Sequence, residues 1–296
     1  MDIITGLAVS RFLNKPLRGK SMSIFRPADL HECGKEDIVW VRSFTSENLK
    51  LLETCRPALA ICDRETAKKA TISTITSDNP RLDFIRILNN FFKKALDVRI
   101  HQSAIIEPGA SIGNNVKIGA FVHIGKNVSI GDDCIIGSGV KIEGKVTMGK
   151  RCVIKANSVL GGQGFGFEYD EHGNPIHFPH LGEILIEDDV WIGACSTVEI
   201  GTLGKTMICT GCKVDDLVQI GHNVFIDRNT LIMANSVICG GASIGKNCWI
   251  APNSVIKEKI QVGNRAKVGL GAVVLKNVEP GMVVAGVPAK PLKKIK

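Results

Sequence analysis

One histidine lies in a stretch that could support proton transfer. His222 falls within the segment VDDLVQIGHNV and is the only histidine after residue 180. An imidazole has an ordinary pKa of about 6.5, so a neutral ring can accept a proton near physiological pH. The carboxylates of Asp215 and Asp216 precede it, and either could orient the ring. We therefore take His222 as the candidate general base.

The elements that must hold this histidine follow from a six-residue repeat. An aliphatic residue or methionine occupies every sixth position from Ile106 to Leu160, and an aliphatic residue does so again from Ile208 to Val274. Hexapeptide repeats of this kind are typical of a parallel β-helix, in which about three hexads close one triangular coil. Each coil rises by about 4.8 Å, the spacing between strands. The sequence therefore predicts a mainly β fold over residues 101–296, with columns of aliphatic side chains as its core.

Glycines often follow these aliphatic anchors, as at Gly113, Gly119 and Gly221. Glycine adopts backbone conformations that a Cβ atom would resist. We therefore expect these glycines to supply the turn geometry at the corners of each coil.

Residues 1–100 lack the repeat and predict a small α/β domain of nucleotide-binding type. Ile38–Val41 and Ala58–Cys62 have the composition of short buried strands. A helix is predicted to begin at Pro80, with Asn79 as its cap.

The repeat stops over residues 161–185, which we interpret as an excursion loop from the β-helix. The segment is rich in glycine, aromatic residues and histidine. Loops that leave a rigid scaffold often carry function. Phe165 and Phe167 could line a pocket, and His180 could contact a phosphate, so all three are candidate substrate-binding residues.

Composition limits the classes of protein that fit. The 296 residues carry a net charge of +8 without a basic run interleaved with aromatic residues, which favours an anionic small ligand over nucleic acid. No apolar run is long enough for a membrane span and no signal peptide is evident, so we expect a cytoplasmic protein. The ten cysteines are then expected to be thiols. Cys209 and Cys212 form a CxxC without a second pair, so we expect no metal there.

Four segments together resemble one family. The sequences SDNPRLDF, GGQGFGF, HLG from His180, and VDDLVQIGHNV resemble the UDP-3-O-(3-hydroxyacyl)glucosamine N-acyltransferases of lipid A synthesis (LpxD), over nearly the whole chain. The resemblance implies a left-handed parallel β-helix and a homotrimer with active sites between adjacent prisms. It also implies N-acylation of a nucleotide-linked amino sugar by an acyl thioester, without a tightly bound cofactor.

The resemblance also assigns residues. His222 matches the family's catalytic base, Asp215 the acidic residue upstream of it, and Gly240 the residue whose N–H holds the oxyanion. Gly240 follows His222 by eighteen residues, or one coil, so it should lie directly above the histidine. Trp40 matches the aromatic residue that stacks on the nucleobase.

Three features depart from the family pattern and bear on the donor. Lys259 stands at the position of a second family histidine, and serines replace two residues of the nucleobase-stacking segment. The chain ends in a segment, with Gly286, Lys290 and Lys293, that resembles coenzyme A-using sugar acetyltransferases of the same fold. We therefore expect acyl-CoA as co-substrate, with Gly240 and these three residues binding it. The alternative is the LpxD reaction with acyl carrier protein.

The sequence fits two other classes of protein less well. A metalloenzyme of this fold would need about three protein ligands for zinc, but the β-helix after residue 180 offers His222 as its only histidine. A non-catalytic β-helix binding protein would be expected to repeat one polar residue along a face, and no such column persists here.

Overall fold

Short strands recur at the spacing of the repeat and pair in parallel with the strand one coil later. Ile220 pairs with Ile238 and Ile226 with Ile244, a register step of eighteen residues. The computed structural model describes residues 3–93 and 99–294 of the chain, which divides into two units, Met1–Ala95 and Leu96–Lys296. In the described part of the second unit, the strands outside the excursion loop form three sheets that are the faces of a triangular prism.

The chain visits the three faces in turn within each coil. Face 1 contains Ile105–Ile106, His123–Ile124, Lys141–Ile142, Val159–Gly162, Thr197–Glu199, Gln219–Ile220, Val237–Ile238, Val255–Ile256 and Val273–Val274. Face 2 contains Ser111–Ile112, Val128–Ile130, Val146–Met148, Glu183–Ile186, Lys205–Ile208, Phe225–Ile226, Ser243–Ile244 and Gln261–Val262. Face 3 contains Lys117–Ile118, Ile135–Ile136, Val153–Ile154, Trp191–Ile192, Lys213–Val214, Leu231–Ile232, Trp249–Ile250, Lys267–Val268, Met282–Ala285 and Lys290–Lys294.

The repeated aliphatic side chains form the core of the prism. Ile136, Ile220 and Ile256 are each at most 1% exposed and belong to one continuous buried cluster. Each strand has a second residue that faces outward, as the two-residue period of a strand requires. The predicted parallel β-helix with internal aliphatic columns is therefore confirmed.

The corners of the prism correct the predicted role of the glycines. The left-handed residue at many corners lies three positions after the anchor, as at Asn223 and Asn229, with φ of 58° at both. Asparagine tolerates this conformation better than most residues. Gly113 and Gly221 do not adopt it, but an added Cβ would lie 2.7 Å from the N of Asp132 and 2.8 Å from the N of Gly240. These glycines are needed because successive coils approach closely.

Two segments depart from the regular coil. The excursion leaves face 1 after Val159–Gly162 and returns to face 2 at Glu183–Ile186. Between them, Phe167–Tyr169 and Pro175–His177 form an antiparallel hairpin. The last strand, Lys290–Lys294, runs antiparallel to Met282–Ala285 at the end of face 3.

The first unit is a small α/β domain built on a five-stranded sheet. Its strands are, in spatial order, Leu17–Arg18, Thr74–Thr76, Leu59–Cys62, Asp37–Val41 and Arg26–Pro27, and a separate pair joins Ile4–Thr5 to Ser23–Ile24. Its helices are Gly6–Leu13, Ser46–Cys55, Arg64–Lys69 and Pro80–Ile87, the last continuing as a π-helical turn, Leu88–Phe92. Asn79 caps the fourth helix, since its Oδ1 accepts the N–H of Leu82 at 3.2 Å. The predicted strands and helix start are confirmed to within one residue.

Candidate active site

A cleft opens beside His222 at the corner where the chain passes from face 1 to face 2. Its volume is about 450 Å³. The lining side chains and backbone come from several coils and from the excursion loop, and they are Phe165, Glu199, Gln219, Gly221, His222, Val237, Cys239, Gly240, Glu258 and Lys259. The same corner releases the excursion loop, so the loop and the candidate base lie together.

Hydrogen bonds determine which nitrogen of His222 is free. Nδ1 lies 3.0 Å from Oδ1 of Asn223. That oxygen also accepts the N–H of Thr202 at 3.1 Å and its hydroxyl at 2.8 Å, which identifies it as the amide oxygen. Because an amide oxygen can only accept, Nδ1 carries the proton of the neutral ring. Nε2 is left with its lone pair, as a general base requires.

Gly240 lies against that free nitrogen. An ideal Cβ on Gly240 would be 2.5 Å from Nε2 of His222 and 2.7 Å from its Cε1. Among the described residues, no acceptor bonds to the Gly240 N–H, whereas the neighbouring Gly241 N–H bonds to the carbonyl of His222 at 2.8 Å. The expectation that one coil separates His222 from Gly240 is confirmed by the pairing of Ile220 with Ile238. A candidate base and a residue whose N–H has no acceptor in the described part of the chain therefore lie side by side.

Glu199 is a neighbour of His222 that the sequence did not indicate. Its Oε2 accepts the backbone N–H of His222 at 3.0 Å, and its Oε1 accepts the side-chain N–H of Gln219 at 3.3 Å. The carboxylate therefore fixes the backbone at the candidate base. The repeat slips between Val198 and Ile208, so counting in hexads could not reveal this contact.

The excursion loop brings His180 and Phe165 to the same place. His180 is 2% exposed, and its ring centroid lies 4.9 Å from that of His222, with the rings nearly perpendicular. Phe165 lines the cleft while 87% exposed, and its ring contacts Phe167 at 4.9 Å between centroids. Three of the candidate substrate-binding residues thus lie in or next to the cleft.

Asp215, which the resemblance matches to an acidic residue of the family's site, lies at a different corner from His222 within one copy of the chain. Asp215 follows the face 3 strand Lys213–Val214, so it occupies the corner between faces 3 and 1. Asp216 bonds instead to Lys155 at 2.6 Å and to the N–H of Ala194 at 2.7 Å. The Lys155 hydrogen bond holds the pKa of the Asp216 carboxyl below its ordinary value. Within one copy of the chain, the residue that orients the imidazole is Asn223.

The predicted coenzyme-binding segment also lies away from the cleft within one chain. Lys290 and Lys293 belong to the strand at the end of face 3, and Gly286 follows the preceding strand with φ of 95°. Only Gly240 of that predicted set lines the cleft. Lys259 does line it, one coil beyond Gly241.

Trp40 lies in the first unit, where it is partly buried and packs on a cluster that includes Val9 and Ile38. The same unit has a separate cavity of about 500 Å³ whose lining includes the cations Lys20, Lys35 and Arg56 but not Trp40. Stacking of Trp40 on a nucleobase therefore stays a prediction.

The thiol that lines the cleft and the two thiols of the CxxC are unsuited to act as nucleophiles. Cys239 lines the cleft, and burial raises the pKa of its thiol above 9.0. Cys209 and Cys212 are buried, and burial raises their pKa values to about 11 and about 12. Because the thiolate is the reactive form, these side chains stay protonated near neutrality. In residues 3–93 and 99–294, no group of three or more His, Cys, Asp and Glu side chains is arranged to hold a metal ion.

Comparisons with known proteins identify the class. The family model for bacterial transferase hexapeptide (six repeats) matches residues 109–144, 127–162, 223–257 and 241–276. The UDP-N-acetylglucosamine acyltransferase of Campylobacter jejuni has a similar fold, with a TM-score of 0.60 at 20% identity over 66% of this chain and 74% of its own. The protein is therefore a hexapeptide-repeat transferase with a left-handed parallel β-helix.

Closer relatives identify the family. A UDP-3-O-acylglucosamine N-acyltransferase of Campylobacter lari is 41% identical over 71% of this chain and 70% of its own length. One from Desulfotalea psychrophila is 32% identical over 89% of this chain and 81% of its own. The chain belongs to the UDP-3-O-acylglucosamine N-acyltransferase family and is an acyltransferase. None of the helices in the described residues has the length and apolar character that a membrane span needs.

Proposed function

We propose that the chain transfers an acyl group from an acyl thioester to the amino group of a UDP-linked, 3-O-acylated glucosamine. The observation that carries this proposal is the close approach of His222 Nε2 to Gly240, a place where a side chain at residue 240 would clash with the imidazole. The names of the relatives supply the acceptor. The size of the cleft, about 450 Å³, supports binding of an amine and a thioester together.

The chemistry needs only groups at this corner. The amine nitrogen of the sugar attacks the thioester carbonyl and forms a C–N bond, while His222 Nε2 takes a proton from that nitrogen. The carbonyl oxygen becomes an oxyanion and accepts a hydrogen bond from the Gly240 N–H. Collapse breaks the C–S bond, and the proton on His222 passes to the departing thiolate. One amide and one thiol result, and the neutral histidine is restored without a covalent enzyme intermediate.

We propose acyl carrier protein, not coenzyme A, as the carrier of the donor. The expectation of acyl-CoA rested on Gly286, Lys290 and Lys293, which do not line the cleft of their own chain. The relatives' names favour the LpxD reaction. A net charge of +8 supports docking of an acidic carrier protein. Acyl-CoA is the competing donor.

One assay tests both the reaction and the donor. The purified protein is given UDP-3-O-acylglucosamine with the same 3-hydroxyacyl group on carrier protein or on coenzyme A, and the amide product is measured by mass spectrometry. We expect a higher kcat/KM with the carrier protein. An equal or higher kcat/KM with acyl-CoA would return the donor to coenzyme A. Absence of amide with both donors would refute the proposed function.

We also propose a homotrimer in which a neighbouring prism completes each cleft. The exposure of Phe165 at the cleft and the family resemblance support this assembly. Light scattering should give three times the chain mass of 31.9 kDa. In such a trimer Asp215 could act only across the contact between copies. A fully active monomer would contradict the proposal.

A further inference from the structure

We infer that His180 is a positioning residue that holds the ring of His222 in its catalytic orientation. The inference rests on the proposed function, in which Nε2 of His222 takes the proton of the amine. It gives the excursion loop a role in the chemistry, separate from the contact with substrate that the sequence predicted for His180.

The backbone of His180 is fixed by the start of its own loop. Its N–H donates to Oε1 of Gln163 at 2.7 Å, and its carbonyl accepts the side-chain N–H of Gln163 at 3.1 Å. These reciprocal bonds join the two ends of an excursion that otherwise extends away from the prism. His180 therefore occupies a defined place although it belongs to a loop.

The ring of His180 is fixed as well. Nδ1 lies 2.8 Å from the carbonyl oxygen of Phe178, and since that oxygen only accepts, Nδ1 carries a proton. The ring of His177 stacks on the ring of His180, with 5.8 Å between centroids. The ring of His180 thus has little freedom to turn, and its nearly perpendicular contact with His222 is a contact with a fixed surface.

The second ring nitrogen of His180, Nε2, makes histidine an unusual residue at this buried position. Nε2 is one of two buried side-chain nitrogen or oxygen atoms that lack a hydrogen-bond partner in the described part of the chain. Such atoms are rare in native proteins because burial without a partner costs free energy. The side chain is therefore poorly explained by its own hydrogen bonding, and its contact with His222 offers a reason for the ring.

Gly164 closes the arrangement from the loop side. An ideal Cβ there would lie 2.6 Å from Nε2 of His180, 2.9 Å from Oε2 of Glu199 and 2.9 Å from Cδ2 of His222. The loop backbone thus packs directly on the two histidines. His222 is held by Asn223 at Nδ1, by Gly240 at Nε2, and by the loop on the remaining side.

Two substitutions separate the ring from its anchor. His180→Asn keeps an N–H that can donate to Phe178 but removes the ring, whereas His180→Phe keeps a ring and removes the donor. We expect His180→Asn to lower kcat by about 10- to 100-fold, because a displacement of the base by about 1 Å has a cost of that size. His180→Phe should stay within about fivefold of wild type, with KM values for both substrates changed less than about twofold in each variant. His172→Ala, in the same loop with its side chain exposed, is the matched control and should behave as wild type.

Crystal structures of the two variants give a readout that does not depend on turnover. We expect His222 to keep its orientation toward Gly240 in His180→Phe and to leave it, or to occupy several rotamers, in His180→Asn. An unchanged His222 in a folded His180→Asn protein, or a kcat in that variant at or above that of His180→Phe, would overturn the inference. If wild type forms no amide, the proposed function fails while the orientation of His222 in the variants still decides the positioning role.

Discussion

Gly240→Ala is the substitution whose effect can best be worked out from the structure. The new Cβ would lie 2.5 Å from Nε2 of His222, whereas ordinary contacts begin at 3.4 Å. The imidazole must therefore withdraw by about 0.9 Å. Misplacement of a catalytic group by about 1 Å can cost 100-fold in rate, or about 2.7 kcal/mol of transition-state stabilisation. Alanine retains the N–H at residue 240 and φ is not in the left-handed region, so the expected loss comes from the methyl group alone.

The assay is the initial rate of amide formation at saturating donor and acceptor, with folding checked by circular dichroism and thermal melting. We expect kcat to fall about 100-fold and KM to change little. Gly162→Ala is the matched control, since an added Cβ there meets nothing within 4 Å. A Gly240→Ala enzyme with the kcat of wild type would refute the assignment of Nε2 as the base, because that nitrogen could not keep its place beside the methyl group.

Four further outcomes are expected. His222→Ala should lower kcat by about 10²–10⁴-fold, and a near wild-type rate would mean that another group takes the proton. Asn223→Gly, which suits the left-handed backbone there, should lower kcat by at least about tenfold because Nδ1–H loses its acceptor; unchanged kinetics would exclude Asn223 as the orienting residue. Trp40→Ala should raise the KM for the nucleotide sugar more than the KM for the donor. If neither KM differs from its wild-type value, Trp40 only packs in the core. Burial acts to raise the pKa of the Asp83 carboxyl, but hydrogen bonds from Lys15 and Ser77 outweigh this effect and lower that pKa below 3.8. Its contribution to stability is therefore complete above that pH and is lost as the pH falls through the lowered value, so Asp83→Asn should flatten the acid dependence in denaturant titrations; an unchanged dependence would contradict this.

The part of the site that the sequence predicted is the part that the repeat determines. A period of six with three strands per coil fixes the register between coils, so the eighteen residues from His222 to Gly240 already specified their approach. The same arithmetic separates Asp215 from His222. Asp215 follows the anchor Val214, whereas His222 follows the next anchor, Ile220, and successive anchors belong to different faces. The family pattern favoured Asp215, although the period already assigned it to another corner.

The rest of the site depends on segments where the repeat is interrupted. His180 returns to the prism only through the Gln163 bonds, and Glu199 precedes a slip of the repeat. Glu199 lies 23 residues before His222, which is not a multiple of six. His180 lies 42 residues before it, but that interval begins in the excursion loop and crosses the slip, so counting hexads does not assign His180 to a corner. The role of Asn223 depends on Thr202, which lies within that slip and fixes the amide oxygen toward the imidazole. These contacts depend on backbone that does not follow the repeat, so the period of six could not predict them.

The strand Lys290–Lys294 has a consequence for self-association. It covers the outer edge of Met282–Ala285, the last coil strand of face 3. An uncovered edge presents unpaired N–H and C=O groups that can recruit a strand of another molecule. A chain cut after Ala285 would therefore expose a template for end-to-end stacking, and its solutions should form filaments as concentration rises. Three exposed lysine side chains, Lys290, Lys293 and Lys294, would also be lost. Any change in donor kinetics after such a cut has to be measured on material that light scattering shows to be free of these polymers.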